Sequence, residues 1–495
     1  MTDAKKKPLW KNECVLLFLI TSGLFVLLFS KFIFGGYAYV FTDGGSDTLQ
    51  INYAQYGLFS SLFRSGESGY ILQAGLGMDV SAYYPAYLIP YNLLLLLAPQ
   101  RFLPWAVLAA TYLKLMTISL VGYLFFRKRM DEGIGTMAAA LAWTFSGYVM
   151  LWGQHYGFCT CVALFTVFMY FLQCYLDGGS RWKSAGLVIV VTMLLLSSYY
   201  FLYMTAAFAV VYVVIYSILQ RRKIKDTARN VLGLGGMGAL GVMLGGAALM
   251  PILDTFLESA RADVLSGKDT SSLLRPYRGR TLGTIIARFF SNQMLGIEKE
   301  YTGSVNYYEG IVLAVSILTI FAVCYFLVKK RTRIRTVIFT TLAVFLAILP
   351  VTSRILVFTT SVHRWSFMLC FAEALVIGFF IQDVCREKEK KTVFVGSILA
   401  VLLCGAMLAY VYRFPRIKVN TKAAAGVCVF LIIYAVLLNA GIWIKKLQKM
   451  LPAAIMAVLV CELFVLNYPT LSCRESPTRN QMATEYYNDG TKEAA

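Results

Sequence analysis

Apolar residues in this chain run in long unbroken blocks, and polar residues collect between the blocks instead of alternating with them. Each block is close to the roughly 20 residues that a helix needs to cross a bilayer. The pattern predicts membrane helices at 14–34, 104–126, 136–151, 158–176, 185–198, 200–219, 230–252, 309–328, 336–351, 365–382, 392–412, 424–444 and 451–468. The stretch 185–219 is too long for one span, and Ser197-Ser-Tyr-Tyr200 marks its break. Two connections are long, 35–103 and 253–308. The first holds an apolar piece, 82–98, with Pro85 and Pro90 near its start, which reads as an interfacial or re-entrant helix. The fold class is therefore an all-α polytopic membrane protein. A transmembrane domain over 1–470 is expected to be followed by a polar external tail over 471–495, read as the start of an extracellular domain.

Composition agrees with this. The chain is 58% hydrophobic and 15% charged, with a mean hydropathy of +0.66, whereas soluble domains have roughly 45–50% apolar and 25% charged residues. The net charge of +20 acquires a meaning from its placement. With the N-terminus in the cytoplasm, every short loop on that side is basic: Lys5-Lys-Lys7, Arg127-Lys-Arg129, Arg221-Arg-Lys223, Lys329-Lys-Arg331 and Lys445-Lys446 are examples. The positive-inside rule then sets the N-terminus in the cytoplasm and the C-terminus outside. The excess charge is a topology signal with some attraction to anionic lipid, and no soluble basic module suggests a nucleic-acid partner. Most of the eleven cysteines fall inside apolar runs, as small packing residues do. Gly233-Leu-Gly-Gly-Met-Gly238 matches a dinucleotide-binding pattern in letters only. It lies inside a predicted span, where glycines let helices approach closely.

Candidate chemistry collects near one end of the predicted spans. Asp43-Gly-Gly-Ser-Asp47 lacks the ligand spacing of a calcium loop. It is followed by Gln50 and Tyr53, and further on by Asp79, Tyr83 and Tyr84. Carboxylates, amides and tyrosines bind sugar hydroxyls and stack on sugar faces, and a carboxylate can take a proton from an attacking hydroxyl. His155 and the pair His363-Arg364 lie at the same predicted outer level. His155 reads either as an interfacial aromatic-belt residue or as part of a site. Arg364 reads either as a headgroup contact or as a holder of lipid-linked phosphate, for which its fork of donors suits it. Arg261, in the second long loop, is a further candidate anion ligand. Two carboxylates near a phosphate could hold a divalent metal, although no ligand spacing demands one.

Gly45-Ser-Asp47, Gly75-Leu-Gly77-Met-Asp79, Tyr83-Tyr-Pro-Ala-Tyr87, Ser198-Tyr-Tyr-Phe-Leu-Tyr-Met204, Asn306-Tyr-Tyr-Glu-Gly310, Arg364-Trp365 and Glu462-Leu-Phe-Val-Leu-Asn467 occur in this order. In that order they resemble the YfhO-type bacterial membrane proteins, over most of the chain. The resemblance implies a GT-C-like bundle: a membrane glycosyltransferase using polyprenyl-phosphate sugar donors at the outer face. It further implies a teichoic or lipoteichoic acid acceptor in the cell envelope, and a catalytic carboxylate in the first external loop. Asp47 stands at the matching position, with Asp43 the weaker choice. The expected reaction is inverting. Asp47 takes the acceptor proton, Arg364 holds the leaving phosphate with His363 or Arg261 in support, and Asp79, His155, Gln50, Tyr53, Tyr83 and Tyr84 contact sugar or acceptor. A flippase or transporter of lipid-linked substrate is the alternative. It would show repeated halves and broken helices around a midplane site.

Overall fold

The computed structural model describes residues 12–42, 47–67, 69–72, 77–79, 87, 89–178, 181–246, 249–250, 273–360 and 362–484. Asp43, Tyr83, Tyr84 and Arg261 lie outside these residues, and of Asp79 only the backbone is described.

The apolar blocks fold into a helical membrane bundle. By length and composition, eight described helices can cross a membrane: Gln100–Arg129, Ile134–Trp152, Tyr156–Leu176, Tyr199–Leu219, Arg364–Glu387, Lys390–Tyr412, Thr421–Trp443 and Leu451–Ser472. Arg333–Ile348 and Pro350–Val357 add a ninth if they form one span, bent by 74°. Three apolar helices are shorter: Glu13–Leu28, Trp182–Ser197 and Leu318–Val328. Local signals set several ends. Asn12 caps Glu13–Leu28 by accepting from the Cys14 amide, and Asn420 caps Thr421–Trp443 by accepting from Lys422 and Ala423. Ser198 ends one helix and caps the next by accepting from the Phe201 amide, at the predicted break. In the first long connection, Pro90 opens the eight-residue helix Pro90–Leu97 within the apolar piece. Of the glycines of 233–246, Gly233, Gly241 and Gly245 serve packing, whereas a Cβ on Gly235, Gly236, Gly238 or Gly246 would meet nothing within 4 Å. Thr192 Oγ1 donates to Gly241 O at 2.9 Å, and a Cβ on Gly241 would lie 2.6 Å from Val191.

Two predicted spans are interrupted. The block 136–151 divides at Phe145–Ser146 into Ile134–Thr144 and Gly147–Trp152. The freed backbone is satisfied by an irregular segment beside it. The Gly147 amide donates to Ala314 O at 2.6 Å, and Asn292 Nδ2 donates to Gly147 O at 2.7 Å. Irregular backbone survives at membrane depth only when buried and paired in this way. A Cβ on Gly147 would lie 2.9 Å from Ala314 O, so the crossing needs a glycine. The block 309–328 is helical only from Leu318. The residues before it are mostly buried and form neither helix nor strand, and Glu462 caps the helix start from a neighbouring helix. Its carboxyl accepts from the Ile317 amide at 2.7 Å, Ser316 Oγ at 2.6 Å and Tyr434 Oη at 2.7 Å.

The bundle has two chemically distinct ends. One carries the basic loops: Lys128 pairs with Asp177, Lys329 with Asp383, Glu387 and Glu389, and Arg386 with Asp131. The other carries Asp47, the 291–316 segment, the 358–366 turn and residues 473–484.

Candidate functional site

The site is built on a turn between two spans. Gly153-Gln154-His155 joins Gly147–Trp152 to Tyr156–Leu176 and is buried. The first connection folds down onto it. Asp47 begins the π-helical turn Thr48–Tyr53, and Thr48 is wholly buried, donating from Oγ1 to Gln154 Oε1 at 3.0 Å. Asn52 Nδ2 donates to the Asp47 carbonyl at 3.1 Å. These bonds fix the backbone while leaving the Asp47 side chain 55% exposed, with Oδ2 3.5 Å from His155 Nε2.

His155 is buried, and burial pushes its pKa down to about 4 against the pull of Asp47, with Arg364 and Arg474 adding to the depression. At neutral pH the imidazole is therefore uncharged. In the tautomer protonated on Nε2, that N–H points at Asp47 and orients its side chain. His155 packs against Trp152 and Phe158, with ring centroids 5.1 and 5.3 Å apart.

Arg364 lies against the same two rings, its guanidinium carbon 5.6 Å from Trp152 and 5.4 Å from Phe158. It is held by both oxygens of Glu309, with Nε to Oε2 at 3.1 Å, and its side chain stays 34% exposed. A guanidinium with one edge paired and an aromatic face behind it can still offer donors to an incoming anion. His363 does not join it there. Its ring is buried beneath the Glu309 backbone, with the His363 amide and Nδ1 at 3.1 and 3.2 Å from Glu309 O. Burial pushes this imidazole down to about 4 as well, and Arg288 acts in the same direction.

Sequence reasoning missed Arg474, taken as part of a polar tail. It is fully buried, 3.6 Å above the Phe41 ring, and donates to Gln154 Oε1 at 2.6 Å and Tyr308 Oη at 2.5 Å. A lone arginine just past the last apolar block carries no periodic signal that would have flagged it.

Of the candidates, His155 and Arg364 are brought together against Trp152 and Phe158, and Asp47 joins them through His155. Gln50 is exposed on the turn that follows Asp47. Tyr53 is buried in the core, not open to a sugar. Asp79 belongs to a two-residue strand pair, opposite Tyr70. Among the described residues no group of three His, Cys, Asp or Glu side chains is placed to hold a metal.

A comparison with curated proteins finds no match. The chain is similar to the crystal structure of ArnT from Cupriavidus metallidurans bound to undecaprenyl phosphate. That likeness has 12% identity and a TM-score of 0.46, covering 95% of this chain and 78% of the other. The family model described as bacterial membrane protein YfhO matches residues 15–494, and the chain belongs to that family.

Proposed function

We propose that this protein is a membrane glycosyltransferase that moves a sugar from a polyprenyl-phosphate donor to an acceptor of the cell envelope at the outer face. A teichoic or lipoteichoic acid is the acceptor the family resemblance suggests. Asp47 takes the proton of the acceptor hydroxyl as that oxygen bonds to the anomeric carbon. The bond from that carbon to the phosphate oxygen breaks with inversion, and polyprenyl phosphate departs with the bonding electrons. Arg364 stabilises the phosphate charge as it develops. Neutral His155 orients the base without quenching its charge.

The observation that carries the reading is the half-exposed Asp47 carboxylate on a buried neutral imidazole, beside an arginine that shares the same aromatic pair. Against the transporter alternative, the deepest carboxyl of the last span, Glu462, is engaged by three donors and caps a helix. The open polar groups instead collect at one end. The basic loops at the other end support a cytoplasmic assignment for it and an outer assignment for the Asp47 end.

The test is transfer of labelled sugar from a polyprenyl-phosphate donor by purified protein in nanodiscs. Asp47→Asn should lower the rate by about 10²–10⁴-fold, the usual contribution of a positioned general base, with unchanged protein yield. Wild-type rates in that variant would remove Asp47 from the chemistry.

A further inference from the structure

We infer that Arg474 is a positioning residue for the proposed reaction: through Gln154 it sets where the Asp47 turn sits against His155. The chemical part of this inference rests on the transferase reading, while the link itself is a matter of geometry and stands apart from it.

Gln154 Oε1 is a shared acceptor. It takes one hydrogen bond from Thr48 Oγ1 at 3.0 Å and another from Arg474 Nη2 at 2.6 Å. Thr48 directly follows Asp47, and Gln154 directly precedes His155. The two bonds therefore fasten the turn that carries the base to the turn that carries its imidazole partner. Thr48, Gln154 and Arg474 are all buried, so the bonds are made out of contact with solvent. Arginine can only donate, and it locks the Gln154 amide with its oxygen toward Thr48. Its bond is charge-assisted and is the stronger of the two.

Arg474 can serve as a fixed reference because it is itself held on several sides. Its guanidinium carbon lies 3.6 Å from the centre of the Phe41 ring, Nη2 donates to Tyr308 Oη at 2.5 Å, and Nε is 3.7 Å from Glu298 Oε1. Tyr308 also flanks His155, with ring centroids 6.3 Å apart. The backbone beneath is pinned as well. Lys31 Nζ donates to Ser472 O at 3.2 Å, Arg474 O at 2.5 Å and Ser476 Oγ at 3.4 Å. The chain then runs beside 36–42: the Ala38 amide donates to Pro477 O at 2.9 Å, the Thr42 amide to Glu475 O at 3.2 Å, and the Arg479 amide to Gly36 O at 2.9 Å. The segment expected as a polar tail is thus part of the frame of the site. A group whose own rotamer is locked by packing and hydrogen bonds is what holds a reacting side chain in place. Arg474 acts from below, through Gln154, whereas Arg364 keeps a side chain 34% exposed.

The test uses the full-length protein in nanodiscs and transfer of labelled sugar from a polyprenyl-phosphate donor. Arg474→Met keeps the length of the side chain and removes its donors. Its kcat should fall about 10²-fold, the cost of a misplacement of about 1 Å. Donor KM should stay at the wild-type value, because Arg364 remains gripped by Glu309, whose turn has its own fastenings at Asn306 and Arg288. Thr48→Val leaves Arg474 in place and cuts the same link, so it should show the same split even where Arg474→Met fails to fold. Amide hydrogen exchange followed by mass spectrometry reads the link without turnover. Exchange across 48–53 should quicken in both variants, with helix Thr421–Trp443 unchanged. A wild-type protein that transfers no sugar removes the transferase reading, and the exchange data still judge the link. Unchanged exchange across 48–53 overturns the inference, as does a wild-type kcat in Thr48→Val. Equal quickening along the whole chain marks a general loss of stability and overturns it too.

Discussion

Glu462 tests whether the irregular segment that carries Glu309 depends on one deep carboxyl group. The group is 1% exposed and accepts three hydrogen bonds, from the Ile317 amide, Ser316 Oγ and Tyr434 Oη. In Glu462→Ala all three donors lose their partner. A buried polar group left unpaired costs about 1–3 kcal/mol, so even the low end of that range predicts a loss of about 3 kcal/mol. Glu462→Gln should behave differently. Its amide oxygen can still accept from Ile317, and its NH₂ group can donate to the two hydroxyls, which rotate to receive it. A loss of about 1 kcal/mol is expected for that variant. The assay is thermal unfolding in detergent followed by size-exclusion recovery, with both variants beside the wild type. Because the helix start at Leu318 anchors the 306–317 segment, Glu462→Ala should also lose sugar transfer at temperatures where Glu462→Gln retains it. Equal stability in the two variants would refute the claim that the capping bonds hold the segment.

The chain has two histidines, both with pKa values lowered to about 4 by burial. An unfolded chain takes up these protons first, near pH 6.5, so their contribution to stability is complete above that pH and is lost as pH falls toward 4. Each accounts for up to about 3 kcal/mol. His155→Gln combined with His363→Gln should flatten the fall in melting temperature between pH 6.5 and 4, and histidine NMR signals that titrate near 6.5 in the folded protein would contradict it. Arg364→Lys keeps the charge but loses the fork that Glu309 grips. Donor KM should rise about tenfold, the equivalent of one charge-assisted hydrogen bond, and a KM unchanged from wild type would separate Arg364 from the donor.

The bundle was legible because lipid leaves a chain little choice: long apolar blocks must become helices. Ser198 was readable because a hydroxyl inside such a block is itself a local signal. The interruptions at 145–146 and 309–317 were not. Each block carries a hydroxyl at its break, Ser146 and Ser316, but the interruption is completed by pairing with distant residues, Asn292 with Gly147 and Glu462 with Ile317. Asp47, His155 and Arg364 could each be marked as chemistry-bearing, but the meeting of His155 and Arg364 depends on Trp152 and Phe158, which read from sequence as ordinary membrane aromatics. Tyr53 shows the reverse. Its type suggested sugar contact, while helical spacing turns it inward. Arg474 lay beyond any periodic pattern, and its role follows from the fold of Phe41 and Tyr308 around it.

One short segment ties the two cations of the site together. Asn306 Oδ1 accepts from the Tyr308 and Glu309 amides at 3.1 and 2.7 Å, closing a tight turn. That turn sends neighbouring side chains to different arginines: Tyr308 Oη meets Arg474, and the Glu309 carboxylate meets Arg364. The turn is fastened from behind, where Arg288 donates to Tyr307 O at 2.6 Å and His363 bonds Glu309 O. Gly310 is required because a Cβ there would lie 2.8 Å from the Arg288 guanidinium. Each residue of Asn306-Tyr-Tyr-Glu-Gly310 thus has a separate physical task. Because Glu309 and Tyr308 are adjacent on a clamped turn, one stretch of backbone positions the partners of both arginines. An anion that draws Arg364 away from Glu309 would therefore pull on the same turn that holds Tyr308 against Arg474.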